Sequence, residues 1–146
     1  MDYMKYRLDD SLGYKLFQAS RLMTNRLNQN FKDNGFYLTH EQWQILSRLY
    51  EKDGQTQNQL ALLNEKDQPS VSRLIDNMIK SGLVKRVSHP QDRRVNLIYL
   101  TEKAKEIEEP LKMLACKTIQ EASLGIEAED LAKCLNILDK IRENLK

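Results

Sequence analysis

Glycine, proline and cysteine are scarce in this chain, with 5, 3 and 2 copies among 146 residues. Because glycine and proline interrupt helices, their scarcity favours long helices. The two cysteines, Cys116 and Cys134, are far apart and each lies within a helical pattern. We therefore expect two ordinary, buried thiols rather than a disulfide-stabilised scaffold.

Long apolar runs and enzyme motifs are missing as well. No stretch is long enough to span a bilayer, and the first residues lack the apolar run of a signal peptide, so we predict a cytoplasmic protein without membrane contact. Neither a glycine-rich nucleotide loop nor a nucleophile motif is present. His40 and His89 belong to different predicted elements, which argues against a metal site. We predict that the protein is not an enzyme and needs no cofactor.

The net charge is only +2, but its distribution is uneven. Lys and Arg number 7 against 3 Asp and Glu in residues 66–100. The corresponding counts are 8 and 8 in residues 1–65, and 8 and 10 in residues 101–146. A local basic excess of this kind is typical of a surface that contacts nucleic acid.

Apolar residues at spacings of three and four predict six helices, and two short alternating segments predict strands. The first helix has seven such residues: Leu8, Leu12, Leu16, Ala19, Met23, Leu27 and Phe31. The predicted helices cover about 9–32, 39–53, 56–63, 68–81, 101–123 and 127–144, and the predicted strands 83–87 and 95–100. The order H-H-H-H-E-E-H-H defines a mainly α fold with a small β-hairpin.

Local signals mark several helix ends. Two residue pairs have the spacing of a capping box: Thr39 with Gln42, and Thr56 with Gln59. Gly35 and Gly82 suit left-handed caps at the C-terminal ends of the first and fourth helices. Pro110 lies inside the fifth helical pattern, where we expect a kink because proline removes a backbone hydrogen bond.

The chain divides into a central lobe, residues 38–100, and two helical dimerisation segments, residues 1–37 and 101–146. The lobe can close its own core, with a buried stripe on its fourth helix of Val71, Leu74, Ile75, Met78 and Ile79. The last helix has an apolar stripe of its own: Leu131, Cys134, Leu135, Leu138, Ile141 and Leu145. A monomer would leave such stripes exposed, so we predict a symmetric dimer with interleaved terminal helices.

The fourth helix carries side chains suited to DNA on the side away from its apolar stripe: Gln68, Pro69, Ser70, Ser72, Arg73, Asn77 and Lys80. Small serines allow close approach, and their hydroxyls can bond phosphate or base edges. Arg73 can bind a guanine or a phosphate through two hydrogen bonds. A solvated helix face would have a similar composition, so this helix alone does not decide the function.

The tip of the hairpin is more informative: His89, Asp92, Arg93 and Arg94. A basic tip can enter a minor groove, where negative potential is concentrated and an arginine side chain fits. An acid at such a tip would repel phosphate unless it holds a neighbouring arginine in position by a charge-assisted hydrogen bond. We therefore interpret Asp92 as a support for an arginine. An ordinary surface turn with a weak ion pair is the alternative.

Residues 92–101, DRRVNLIYLT, resemble the wing signature of the MarR family of bacterial transcriptional regulators. In that signature Asp, any residue and Arg precede an alternating strand that ends in Leu-Thr. Residues 70–86, SVSRLIDNMIKSGLVKR, resemble the family's recognition helix and its exit into the wing. Residues 38–46, LTHEQWQIL, resemble the helix that opens its DNA-binding lobe. With the helix order and the length, the resemblance covers essentially the whole chain.

The resemblance implies a homodimeric winged helix-turn-helix repressor or activator that binds double-stranded DNA. Each recognition helix would enter a major groove of a pseudo-palindromic operator. Arg94, braced by Asp92, would reach the adjacent minor groove. Many members of the family release DNA when a small, often aromatic, ligand binds between the dimer helices and the DNA-binding lobe.

Seven residues could line a cleft for an anionic aromatic ligand where the first, second and fifth helices meet: Tyr14, Phe17, Arg21, His40, Trp43, Met113 and Lys117. Plain packing of helix junctions is the alternative. Two further functions stay open: a winged-helix module that binds another protein, and a regulator that senses oxidants through Cys116 or Cys134. A protein-binding module would not need the paired Arg93 and Arg94 at the hairpin tip.

Overall fold

A computed structural model describes residues 1–146. The helices are α1 Leu12–Asp33, α2 His40–Glu51, α3 Gln57–Leu63, α4 Gln68–Lys80, α5 Glu102–Glu106, α6 Glu108–Ala122 and α7 Ala128–Leu145, and the strands are β1 Gln55–Thr56, β2 Val84–Ser88 and β3 Asn96–Leu100. Two short 3-10 turns, Tyr3–Lys5 and Leu8–Asp10, precede α1. The predicted class, mainly helical with a small hairpin, is confirmed. None of the helices combines the length and apolarity needed to cross a membrane.

The sheet contains, besides the two strands of the hairpin, a third strand that the sequence did not predict. The antiparallel sheet has the order β1-β3-β2, with Gln55 opposite Ile98 and Val84 opposite Leu100. Strand β1 has only two residues, and Thr56 is also the N-cap of α3, so no alternating pattern reveals it. Through Ile98 and Leu97 it connects the middle of β3 to the start of α3.

The core of the central lobe lies between α2, α3, α4 and the sheet. Fully buried side chains from these elements are Ile45, Leu46, Leu49, Leu60, Val71, Ile75, Met78, Val84 and Ile98. Each large apolar side chain buried in this way contributes about 1.5–3 kcal/mol. Phe31 of α1 and Leu111 of α6 are also completely buried, so the same core reaches the terminal helices. The prediction that Ile79 is buried was wrong, since it is 36% exposed.

Capping residues mark the starts and ends of several helices largely where the sequence predicted. Thr39 and Gln42 form the full capping box, with hydrogen bonds of 3.2 Å in both directions. Thr56 accepts a 3.0 Å hydrogen bond from the backbone N–H of Gln59, but the reciprocal bond of the predicted box is not formed. Gly82 has a φ of +76°, and this left-handed residue turns the chain from α4 into β2.

The break in the fifth predicted helix lies before Pro110 rather than at it. Helix α5 ends at Glu106, and Pro110 occupies the first turn of α6, where its missing N–H does not interrupt a helical hydrogen bond.

The hydroxyl of Tyr50 donates a 2.6 Å hydrogen bond to the Ala104 carbonyl and so links α2 to α5. Burial raises the pKa of Tyr50 to about 12, so this hydroxyl keeps its proton.

Gly54, at the entry to β1, provides a test of the fold. Its φ is +71°, and a Cβ atom built there would lie 2.7 Å from Cε1 of the Tyr99 ring. We expect Gly54→Ala to lower the free energy of unfolding by at least about 1–2 kcal/mol, because L-residues disfavour the left-handed region and the ring must also shift. Urea unfolding at fixed protein concentration measures the change.

Gly13 provides the matched control for this substitution. It lies inside α1, and a Cβ atom there would meet nothing within 4 Å. Because Gly13 is the second residue of the helix, Gly13→Ala should leave the free energy of unfolding unchanged or raise it by less than about 0.5–1 kcal/mol, the gain that alanine brings in a helix interior. Equal effects of the two substitutions would contradict the conformation described for Gly54.

The terminal helices leave most of their apolar side chains exposed in the single chain. In α1 only Asn30 and Phe31 are buried, and α7 has no buried residue. Exposed apolar side chains on α1, α6, α7 and the adjoining segments include Leu8, Leu12, Phe17, Leu22, Met113, Ile119, Leu124, Ile126, Leu135, Ile137 and Leu145. The prediction of buried thiols was wrong for the single chain, because Cys116 and Cys134 are both exposed.

Candidate nucleic-acid interface

The N-terminal turn of α4 is organised by Asp67, which the sequence analysis did not single out. Its carboxylate accepts hydrogen bonds of 2.8 Å from both the backbone N–H and the hydroxyl of Ser70. These bonds hold the pKa of Asp67 below its usual range, so the residue stays ionised. Asp is among the preferred N-cap residues, and the position of Asp67 directly before the predicted helix was a signal available in the sequence.

Asp67 changes the interpretation of the predicted contact residues on α4. The hydroxyl of Ser70 is donated to Asp67, and its oxygen accepts a 3.4 Å hydrogen bond from Nη2 of Arg73. Ser70 therefore supports Arg73 instead of offering a free hydroxyl, and Ser72 is only partly exposed. Five of the predicted side chains are exposed along this face: Gln68, Pro69, Arg73, Asn77 and Lys80.

Removing the cap should destabilise the start of α4. We expect Asp67→Ala to lower the thermal unfolding midpoint by a few degrees, because the backbone N–H and the hydroxyl of Ser70 both lose their acceptor. Asp67→Ser is the matched control, since a serine at this position can still accept from the helix N-terminus. Differential scanning calorimetry of both variants measures the difference. A midpoint that falls equally in both would show that the capping oxygen is unimportant.

The hairpin between β2 and β3, called the wing below, holds Arg94 through Asp92. Nε and Nη2 of Arg94 lie 3.2 and 3.4 Å from the two carboxylate oxygens of Asp92, and the Arg94 backbone N–H donates a 3.0 Å hydrogen bond to Oδ1. The sequence predicted that Asp92 supports a neighbouring arginine, and the family resemblance implied that this arginine is Arg94. Arg94 keeps the pKa of Asp92 below its usual range. The side chain of Arg94 is still 91% exposed, so it is oriented and remains accessible.

The other two predicted wing residues have different surroundings. His89 is partly exposed, and its Nδ1 accepts a 3.1 Å hydrogen bond from the backbone N–H of Gln91, so it shapes the turn. Arg93 is exposed and does not share the contact that Arg94 makes with Asp92. The tip therefore contains two exposed arginines, of which Asp92 orients only Arg94.

A polar groove of about 480 Å³ separates the wing from the N-terminal turns of α3 and α4. Its lining residues are Thr56, Gln57, Asn58, Gln68, Arg94, Val95 and Asn96. Gln68 donates a hydrogen bond to Asn58, which joins the starts of the two helices. The sequence analysis missed the contribution of α3, although the polar run at residues 55–59 was a usable signal. Polar amides with an arginine at one edge suit a phosphate backbone.

The seven residues predicted for a ligand cleft do not meet at one place in the single chain. His40 and Trp43 line a small cleft of about 210 Å³, together with α1 and α6 residues that were not predicted. Met113 and Lys117 lie on a separate surface of α6, whereas Tyr14 and Phe17 stack on each other near the start of α1. Arg21 is exposed on α1. Trp43 also packs edge-on against Phe31, so it is part of the core.

Comparison with known proteins identifies the class of this fold. The model of the MarR family matches residues 38–95. A probable transcriptional regulator from Pseudomonas aeruginosa is 27% identical, with a TM-score of 0.85 over 92% of this chain and 99% of that one. A MarR transcriptional regulator from Methanosarcina mazei Go1 is 25% identical, with a TM-score of 0.80 over 91% and 94%.

The fold is also that of a mutant MarR from E. coli complexed with operator DNA, which is 23% identical with a TM-score of 0.82 over 89% of this chain and 92% of that one. The three-stranded sheet, the groove and the helix order thus define a winged helix-turn-helix protein. The model of the MarR family thus matches the central lobe, and the chain is similar over nearly its whole length to the Pseudomonas aeruginosa and Methanosarcina mazei regulators.

Proposed function

We propose that the protein is a sequence-specific regulator that binds double-stranded DNA as a homodimer. The observation that carries this proposal is the exposed Arg94, which Asp92 orients at the edge of a groove formed with α3 and α4. Two proteins of the same fold were solved with DNA, the E. coli MarR mutant and reduced AbfR, each with a TM-score of 0.82 to this chain. A protein-binding module would not require an oriented arginine there.

In this proposal α4 enters the major groove and the wing reaches the adjacent minor groove. Arg73, Asn77 and Lys80 lie on the exposed face of α4, where their donors can reach base edges and phosphates. Arg94 would enter the minor groove, where the potential is most negative. The groove between the two elements would receive the intervening phosphate backbone, with Gln68 and Asn58 as donors.

The dimer is proposed from the apolar surface of the terminal helices. Helix α7 has no buried side chain of its own, although its stripe contains Leu131, Leu135 and Leu138. A second copy with the same stripe is the partner that matches this surface, and two-fold symmetry then sets the DNA half-sites about one helical turn apart, roughly 10 base pairs. The proposed dimerisation segments are residues 1–37 and 101–146.

Two finer parts of the function stay predictions. One is that the protein represses its target gene. The other is that an anionic aromatic ligand releases it from DNA. The His40–Trp43 cleft, about 210 Å³, is smaller than the roughly 300–1,000 Å³ of drug-sized ligand sites, so a ligand there would need surface from the partner chain.

Selection of bound sites from random duplex DNA tests the proposal. We expect enrichment of a sequence with two-fold symmetry and half-sites about one turn apart. The selection should be repeated with aromatic acids and with an oxidant, because Cys116 and Cys134 are exposed and oxidation is the competing means of control. Failure to retain any duplex would favour the protein-binding module.

A further inference from the structure

Arg86, on β2, contacts both of the helices that face the proposed DNA. Its Nη1 lies 2.9 Å from Oδ1 of Asp76 on α4. Its Nε donates a 3.1 Å hydrogen bond to Oε1 of Gln57 at the start of α3. One guanidinium group thus connects the wing to α3 and α4 at the same time.

The surroundings of Arg86 favour a role inside the protein over a contact with DNA. Its side chain is only 26% exposed, and Nη2 is shielded from solvent. By contrast, the neighbouring Lys85 is exposed, because successive strand residues point to opposite faces. A planar guanidinium can hold two partners at fixed angles, which an ammonium group cannot do.

We propose that Arg86 is a positioning residue that sets the distance and angle between the wing and the recognition helix α4. This inference rests on the proposed function, since the distance matters only if both elements contact one duplex. Gln57 also lines the groove that Arg94 borders, so its contact with Arg86 fixes the α3 side of that groove relative to the wing. Without them Arg94 would no longer point into the minor groove while α4 occupies the major groove.

Replacement of Asp76 tests this role because a field effect and a positioning role predict opposite changes in DNA affinity. It lies on the exposed side of α4, one residue from Asn77, where its negative charge should repel DNA. Removing that charge by Asp76→Asn should strengthen binding if only the overall field matters. The positioning role predicts the reverse, a loss of roughly three- to tenfold in affinity, because Arg86 loses its ionised partner.

Affinity for a duplex obtained by selection, measured by fluorescence anisotropy, provides the main test. Arg86→Gln should weaken binding by roughly 5- to 30-fold, and Arg86→Lys by less. Lys85→Gln is the matched control, because it removes the same charge from the adjacent position of β2 and should change affinity at most about twofold. Near-ultraviolet circular dichroism checks that each variant is folded.

A double-mutant cycle separates positioning from direct contact. If Arg86 acts by orienting the wing, then Arg86→Gln added to Arg94→Ala should weaken binding at most about twofold beyond Arg94→Ala alone. Multiplicative losses, or tighter binding by Asp76→Asn, would overturn the inference while leaving the proposed function intact. Wild-type protein that binds no selected duplex would overturn both. Asp76→Asn alone keeps the test decisive if Arg86→Gln does not fold.

Discussion

Replacement of Leu135 by Glu is expected to turn the protein into a monomer and to abolish tight binding to a symmetric duplex. Leu135 is 56% exposed in the single chain, so the substitution removes few packing contacts within that chain. In the proposed dimer the same side chain is covered by the partner. Burial of an unpaired carboxylate there costs at least about 3 kcal/mol, which corresponds to more than a hundredfold weaker dimer.

Analytical ultracentrifugation at micromolar concentration measures this effect. Asn136→Glu is the matched control, because it introduces the same charge on the opposite side of α7, where the residue is exposed. The control should remain dimeric and bind DNA normally. Both variants should keep their helical circular dichroism, since no α7 side chain is buried in the single chain. If Leu135→Glu remained a dimer with wild-type affinity for DNA, α7 would not belong to the interface.

Loss of Arg94 is expected to be the most damaging single change at the DNA surface. Arg94→Ala should weaken operator binding by about 1–3 kcal/mol per chain while the fold and dimer remain intact. Its side chain is exposed, so its removal leaves no cavity in the core. Arg93→Ala should have the smaller effect, because Arg93 does not share the contact with Asp92. A titration of selected duplex at fixed salt measures both.

Whether Asp92→Ala raises or lowers the affinity for DNA distinguishes two explanations. Removal of an acid from a DNA-binding surface should increase affinity if only the net field matters. We expect a decrease, because Arg94 loses the carboxylate that contacts its backbone N–H, its Nε and its Nη2. Tighter binding by Asp92→Ala would therefore show that Asp92 does not support Arg94.

Features with a short-range cause could be predicted from the sequence. The capping box of Thr39 and Gln42 depends on residues three apart, and the left-handed Gly82 depends on one residue. The contact of Asp92 with Arg94 is also local, so it could be predicted before the fold was known. The fold class followed from the periodicity of the apolar residues.

Features that depend on distant partners could not be predicted in the same way. Strand β1 exists because Gln55 and Thr56 meet β3, which lies about forty residues later in the chain. The role of Arg86 depends on Asp76 and Gln57, which belong to two other elements. The ligand cleft was predicted from residue types and an expected helix junction, and its seven side chains do not all meet in the single chain because helix packing decides which of them come together. Burial of Cys116 and Cys134 was inferred from their place within helices, but packing between distant elements decides which face of a helix is covered, and both thiols are exposed in the single chain.

The stoichiometry of the DNA complex shows whether the protein binds its operator as a dimer. Sedimentation equilibrium of the 146-residue chain should be performed with a selected duplex and with the same duplex after one half-site is scrambled. We expect a dimeric free protein, two chains on each intact duplex, and a sharp loss of affinity when one half-site is lost. A monomeric protein that binds one chain per duplex, with the same affinity for the scrambled site, would contradict this expectation.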